Sequence, residues 1–324
     1  MNIISILKNN LYRILVQKAV LIVAVLVIPI MIAVAVLFSV KTEFKGHFAF
    51  ITDKTYNIPQ NDKIQIDVMH NRPAYSELLL GKYIAIVEEK KDGAYKVTTI
   101  KNKADKKIIE TFFKSGEIIE SKKGKRGTGT TILGFIVIII LMQGVALSLL
   151  FPEDRTLKTF RRVLTAPVSE KLYLFSQEVF TFIGIYIPTF MAITITKVCF
   201  GVNIGFSLGM LAILIGILSA LSTSLALFFS SVLERNVSLV ATVIYVITSV
   251  LAGCFYSFTG SNKVLDALCN TLPQKVYMTM AQGIETGKSI LEFKGQLIYL
   301  LIWITALLVL GSNITKRKIE QGLY

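Results

Sequence analysis

Long runs without a single charge leave this chain little choice of environment. Residues 19–40, 131–150, 206–233, 237–257 and 295–314 contain no Asp, Glu, Lys or Arg, and 179–196 is a shorter run of the same kind. A helix rises about 1.5 Å per residue, so about 20 apolar residues cross the hydrocarbon core of a bilayer. A soluble fold has nowhere to bury so much apolar surface. The chain is 53% hydrophobic and only 17% charged. The runs predict an α-helical polytopic membrane protein with six transmembrane helices.

The segments around these runs divide the chain into three parts. In residues 1–18, Ile4, Leu7, Leu11, Ile14 and Leu15 form one stripe, with Lys8, Arg13 and Lys18 off it. Such a helix suits the plane of the membrane interface. With the first span it makes up residues 1–40. A cleaved signal peptide is the rival reading of this stretch. The apolar run exceeds the length usual for one, and no small-x-small site follows, so an uncleaved anchor is favoured.

Residues 41–130 change character. Short runs at 48–52, 64–68, 83–87 and 95–100 read as strands. Residues 73–80 and 104–120 read as helices, the first with Pro73 in its opening turn. This part is expected to be a small extracytoplasmic α/β domain between spans 1 and 2. Residues 122–129 form a basic tether. Residues 131–324 then form a five-span bundle, with a loop at 151–171 and an outer amphipathic segment at 258–294 that re-enters the membrane or lies on it. Glu178 and Lys197 bracket the third span and are expected to reach interfacial water.

Charge orients the bundle. Six spans put both termini on one side. Lys and Arg in the short segments number twelve on that side and five on the other. The termini and the 151–171 loop are therefore expected to be cytoplasmic, in a cell (plasma) membrane. The 41–130 segment is basic at both ends, which opposes this orientation, but long loops largely escape the rule. The net charge of +14 flanks membrane spans. That favours anionic lipid as a partner over nucleic acid.

Catalytic chemistry is missing. Three cysteines and two histidines offer no disulfide framework or ligand spacing, so no metal is expected. Residues 283–289, Gly-Ile-Glu-Thr-Gly-Lys-Ser, have three residues between the glycines where a phosphate-binding loop needs four. No cofactor is expected, and the chain does not read as an enzyme. The spans carry almost no charge at mid-depth, so the chain is not expected to harvest an ion gradient itself.

The 151–171 loop is the most structured connection. Leu157, Phe160 and Leu164 fall at helical spacing on one face. Arg155, Lys158, Arg161 and Arg162 fall on the other, and Pro167 stops the helix. Such a two-faced plug is where another protein could push. A basic loop that only fixes topology is the alternative.

These residues resemble the loop of the ABC-2 type transporter permeases, roughly Glu-x3-Gly-Thr-x2-Arg-x-Leu-x2-Pro. Thr159, Arg162, Leu164 and Pro167 stand at those spacings. Lys158 replaces the Gly, Asp154 takes the acid position, and Glu153 is one residue out of step. Residues 251–255, Leu-Ala-Gly-Cys-Phe, followed by Leu-Pro-Gln-Lys at 272–275, resemble the family's Gly-x-Phe and Pro-Gln segment, so Gly253 and Pro273 mark its outer re-entrant stretch. Residues 48–53 with 80–87 look like the outer domain of members with one large loop.

The resemblance implies two permease subunits, identical or paralogous, each docking a cytosolic ATP-binding cassette subunit that binds the ATP. The docking elements would be the amphipathic N-terminal helix and a coupling helix. Glu153, Leu157, Thr159, Phe160, Arg161, Arg162, Leu164 and Pro167 would carry the ATPase coupling. Leu157, Phe160 and Leu164 would enter a cassette groove, with Arg161 and Arg162 pairing with acids on its rim. Members export lipids, polysaccharides, peptides, toxins or drugs. A membrane sensor with 41–130 as its ligand-binding domain is the first rival, and a membrane-embedded enzyme or channel the second.

Overall fold

The computed structural model describes residues 3–16, 27–41, 46–52, 64–74, 77–78, 83, 85–89, 95–99, 106, 109–110, 113, 127–160, 169–255 and 263–322. Two compact units emerge, Met1–Leu37 with Arg126–Tyr324, and Phe38–Lys125.

The first unit is helical. Its helices are α1 (Ile3–Val16), α2 (Ile28–Lys41, which runs on into the second unit), α3 (Thr128–Ser148), α4 (Leu150–Thr156), α5 (Glu170–Val198), α6 (Leu208–Val232), α7 (Val237–Leu251), α8 (Lys263–Asn270), α9 (Pro273–Glu285) and α10 (Lys294–Glu320). A single 3-10 turn, Ile290–Phe293, precedes α10. Serines start two of the long helices. Ser169 accepts a hydrogen bond from the Leu172 amide, and Ser207 from the Met210 amide, each satisfying a donor the helix cannot. Asn236, at φ 53°, turns the chain from α6 into α7.

Among the described residues, four helical runs are long and apolar enough to cross a membrane: Thr128–Thr156, Glu170–Val198, Leu208–Val232 and Ile290–Glu320. α3 and α6 are mostly buried at the centre, whereas α5 and α10 expose most of their surface. Small residues permit the close central crossing. A Cβ on Gly144 would collide with Ser222, whose hydroxyl donates to the Ile140 carbonyl at 2.7 Å. Ser231 and Thr315 bond across α6 and α10 at 2.9 Å.

The expected fifth span is shorter than its uncharged run. α7 has 15 residues, about 22 Å, because Gly253 adopts φ +72° and reverses the backbone. Of the expected first span, only the second half lies among the described residues, as α2. There, Ile32 and Ala35 join the bundle core.

At the end of the bundle where α3 begins, α9 closes the fold. Glu285 accepts hydrogen bonds from the amides of Gly129 (2.7 Å) and Thr130 (2.9 Å), and from the Thr130 hydroxyl. A carboxylate there meets the positive end of the helix dipole. The neighbouring residues of the 283–289 run are also structural. Gly283 lies against the Phe293 ring, and Ser289 forms a capping box with Glu292.

The second unit holds a four-stranded sheet of β1 (Gly46–Ile51), β2 (Ile64–Met69), β3 (Ala85–Glu89) and β4 (Tyr95–Thr99), in the order β2-β1-β3-β4. β1 runs parallel to both neighbours, and β3 and β4 are antiparallel. Alternation along β1 serves two layers. Phe48 and Phe50 pack with Val87, Val97 and Ile109, while Ala49 packs with Ile86, Leu78 and Tyr83 on the other face. In the expected helix 73–80, Pro73 does not lie in the opening turn, since residues 73 and 74 are not helical whereas 77 and 78 are; most of 104–120 falls outside the described residues.

Candidate functional site

Five elements meet where α3 ends: α1, α4, the turn after it, and the loop-side ends of α5 and α6. Asp154 on α4 is the hub and is buried. One terminal guanidinium nitrogen of Arg13, on α1, donates to both its oxygens at 2.9 Å. The Thr159 hydroxyl donates to it at 2.8 Å and the Tyr173 hydroxyl, from α5, at 2.5 Å. Arg13 also reaches Glu153 at 3.3 Å. A charged acceptor surrounded by donors is a strong arrangement, because each bond is charge-assisted.

The same elements are stitched at two further points. Asn10 of α1 donates to Gln177 of α5 at 2.8 Å. Arg155 donates to the carbonyl oxygens of Ser230, Leu233 and Glu234 at 2.9–3.0 Å. It thereby satisfies the open carbonyls where α6 ends. Beneath the polar layer, Phe151, Phe160 and Tyr173 pack edge to face or tilted, with Ile6, Leu174 and Leu227.

The turn after α4 corrects the expected plug. Leu157, Phe160 and Leu164 were to share one helical face. Instead α4 stops at Thr156, and Lys158 takes φ 55° before the backbone becomes helical again at Thr159. That left-handed residue turns the two apolar side chains apart. Leu157 is 67% exposed and Phe160 only 1%. Phe160 is thus a core residue of the site, and Leu157 is the apolar group presented outward. Arg161, Arg162, Leu164 and Pro167 lie outside the described residues.

Lys158 occupies the position where the resembling pattern has Gly. The left-handed conformation costs an L-residue about 1 kcal/mol and glycine almost nothing. Lys158→Gly is therefore expected to raise the thermal midpoint of the purified protein, by up to about 1 kcal/mol of stability. Lys158→Val is expected to lower it, since a branched side chain fits that conformation worst. Equal melting curves for the three proteins would contradict the assignment.

The N-terminal stripe is also redistributed. Ile6, Asn10 and Ile14 face the bundle, while Ile4, Leu11 and Leu15 point outward. Arg13 was read from sequence as simply off the stripe, yet it makes the central contact. Gly253 and Pro273 belong to helices that meet at the opposite end of the bundle. Gly253 ends α7, Pro273 starts α9, and the adjacent Gln274 donates to Thr248 of α7 at 3.2 Å. Gly134 has no room for a Cβ, which would meet the Cys254 carbonyl.

Of the third span's bracketing charges, only Glu178 departs from the expectation. Lys197 donates to the Phe206 carbonyl. Glu178 does not reach interfacial water: both its carboxylate oxygens are buried. No grouping of His, Cys, Asp and Glu that could hold a metal occurs among the described residues.

A polytopic helical membrane protein with a braced loop at one end is the class this arrangement defines. Residues 53–312 match the family described as ABC-2 family transporter protein. The chain belongs to that family and is a transmembrane subunit of an ABC transporter, a component that associates with an ATP-binding cassette subunit. No curated protein and no solved structure matches it.

Proposed function

We propose that this chain is the permease of an ATP-driven exporter, moving a hydrophobic or amphipathic substrate such as a lipid, peptide, toxin or drug outward. A separate cytosolic ATPase supplies the work. The reading places six spans in the membrane, with both termini and the 151–171 loop cytoplasmic and the 41–130 domain outside. α1 lies at the lipid interface, and a second permease copy, identical or paralogous, completes the pathway.

The supporting observation is the contrast within the loop. Leu157 is exposed at the end of a segment that Asp154, Arg13, Tyr173 and the carbonyl contacts of Arg155 hold rigidly. A rigid lever with an apolar tip transmits a push, whereas a floppy loop absorbs it. α1 is joined to the same lever, so a cassette subunit docking there moves α1, α4 and α5 together.

The test is affinity purification in mild detergent, with mass spectrometry of the eluate and an ATPase assay. A cassette ATPase is expected to co-purify. Leu157→Asp is expected to lose that subunit and its activity while melting like the parent, because an exposed side chain contributes little to stability. An eluate without any ATPase would count against the transporter reading. Full retention by the Leu157→Asp variant would count against docking at this residue.

A further inference from the structure

We propose that the bundle holds a binding site for an amphipathic organic cation, built around Glu178. The inference deepens the exporter reading by naming a substrate class, and it rests on that reading for its role in transport.

A cavity of about 440 Å³ lies between α5, α6 and α10, within the size range of small-ligand sites. Its walls are mainly apolar, with Val179, Phe182, Leu227, Ile304 and Leu308 among them. Among the described residues, Glu178 is its one acidic lining residue. It stands eight residues into α5, about 12 Å along the helix from its start. Neither carboxylate oxygen completes a hydrogen bond, although the Thr223 hydroxyl lies near it. The Thr223 hydroxyl lines the same cavity but donates to the Ala220 carbonyl at 3.0 Å. Lys171 sits two helical turns away, exposed, and forms no ion pair with Glu178. A buried acid without a partner is costly to keep unless something bound to it compensates.

A second feature points to the same ligand chemistry. Phe182, Tyr186 and Phe190 follow Glu178 at steps of four, so all four share one face of α5. The three rings stack nearly parallel, with centroids 5.5 Å and 5.9 Å apart and interplanar angles of 8° and 1°. Aromatic faces attract cations, most strongly where water is excluded. Of the three rings only Phe182, at the foot of the stack, lines the cavity, so the carboxylate and that ring together offer a hydrophobic cation a counter-ion and a surface. A neutral lipid chain needs no carboxylate, and an anion is repelled by it.

Tetraphenylphosphonium is a suitable probe, and tetraphenylborate is its counterpart of similar shape and opposite charge. Calorimetric titration of the purified protein in lipid nanodiscs is expected to show saturable binding of the phosphonium. Glu178→Gln should weaken it at least about tenfold, the usual loss when a charged partner is removed. Phe182→Ala, which keeps the carboxylate, should weaken it several-fold. The borate should not compete. Unchanged affinity in Glu178→Gln, or competition by the borate, would overturn the site. Absence of phosphonium binding in a preparation that retains its ATPase would also overturn it and leave the transporter reading standing. Carboxylate-dependent binding without any ATPase would uphold the site and sink the exporter reading.

Discussion

Asp154→Ala is expected to cost the purified protein about 3 kcal/mol, the lower end of what breaking a buried ion pair costs. The substitution removes the shared acceptor of a guanidinium nitrogen and two hydroxyls at once, leaving Arg13 only Glu153 at 3.3 Å and Thr159 only the backbone carbonyl of residue 154 at 3.1 Å. Arg13 keeps a side-chain exposure of 23%, so water recovers part of the loss. Arg13→Ala should cost less, since Asp154 still accepts from Thr159 and Tyr173. The double variant should fall short of the sum by about 1–3 kcal/mol, as for residues in one network. Chemical unfolding of the four proteins in detergent measures this directly. Protease cleavage within α1 should accelerate in both single variants, because its strongest tether to the loop is gone. Additive losses, or an α1 as protected as in the parent, would show that Asp154 does not join these elements.

Much of the helical framework is legible in the sequence. The uncharged runs at 131–150 and 206–233 locate α3 and α6 to within a few residues. Alternation locates the strands, since period-two patterns place Phe48 and Phe50 on one face and Ala49 on the other. The run at 295–314 underestimates α10, which continues to Glu320. Its charged last turn stays helical because Lys318 donates to the Val232 carbonyl of α6 and Lys316 pairs with Glu320. Such support is invisible to a hydropathy reading.

The site is legible only in part, for identifiable physical reasons. Spacing marks Asp154 as the acid of the loop pattern, but its partner Arg13 lies 141 residues away. Only tertiary packing brings the two together. Helical periodicity puts Leu157 and Phe160 on one face, and it fails because a single residue, Lys158, leaves the right-handed region. Glu178 stands near one end of an uncharged run, which suggests an interfacial anchor. Packing of α6 and α10 over that face of α5 removes its carboxylate from water instead.

Phe160→Ala should therefore act on stability, and Leu157→Ala should not. Phe160 is buried against Phe151 at a ring distance of 5.5 Å and Tyr173 at 5.0 Å. Removing a buried aromatic side chain costs about 3–5 kcal/mol, from lost burial and the cavity left behind. Leu157→Ala removes an exposed side chain and should change stability by less than about 0.5 kcal/mol. Thermal melts of the two variants should separate clearly, and Phe160→Leu should recover part of the loss by refilling the space. Coupling of ATP hydrolysis to transport should fail in Leu157→Ala without a change in melting. It should fail in Phe160→Ala only together with loosening of the whole loop. Equal melting of the two variants would restore a shared outward face for both residues. A stable, uncoupled Phe160→Ala protein would do the same, since it would show that the ring contacts the ATPase rather than the core beneath Asp154.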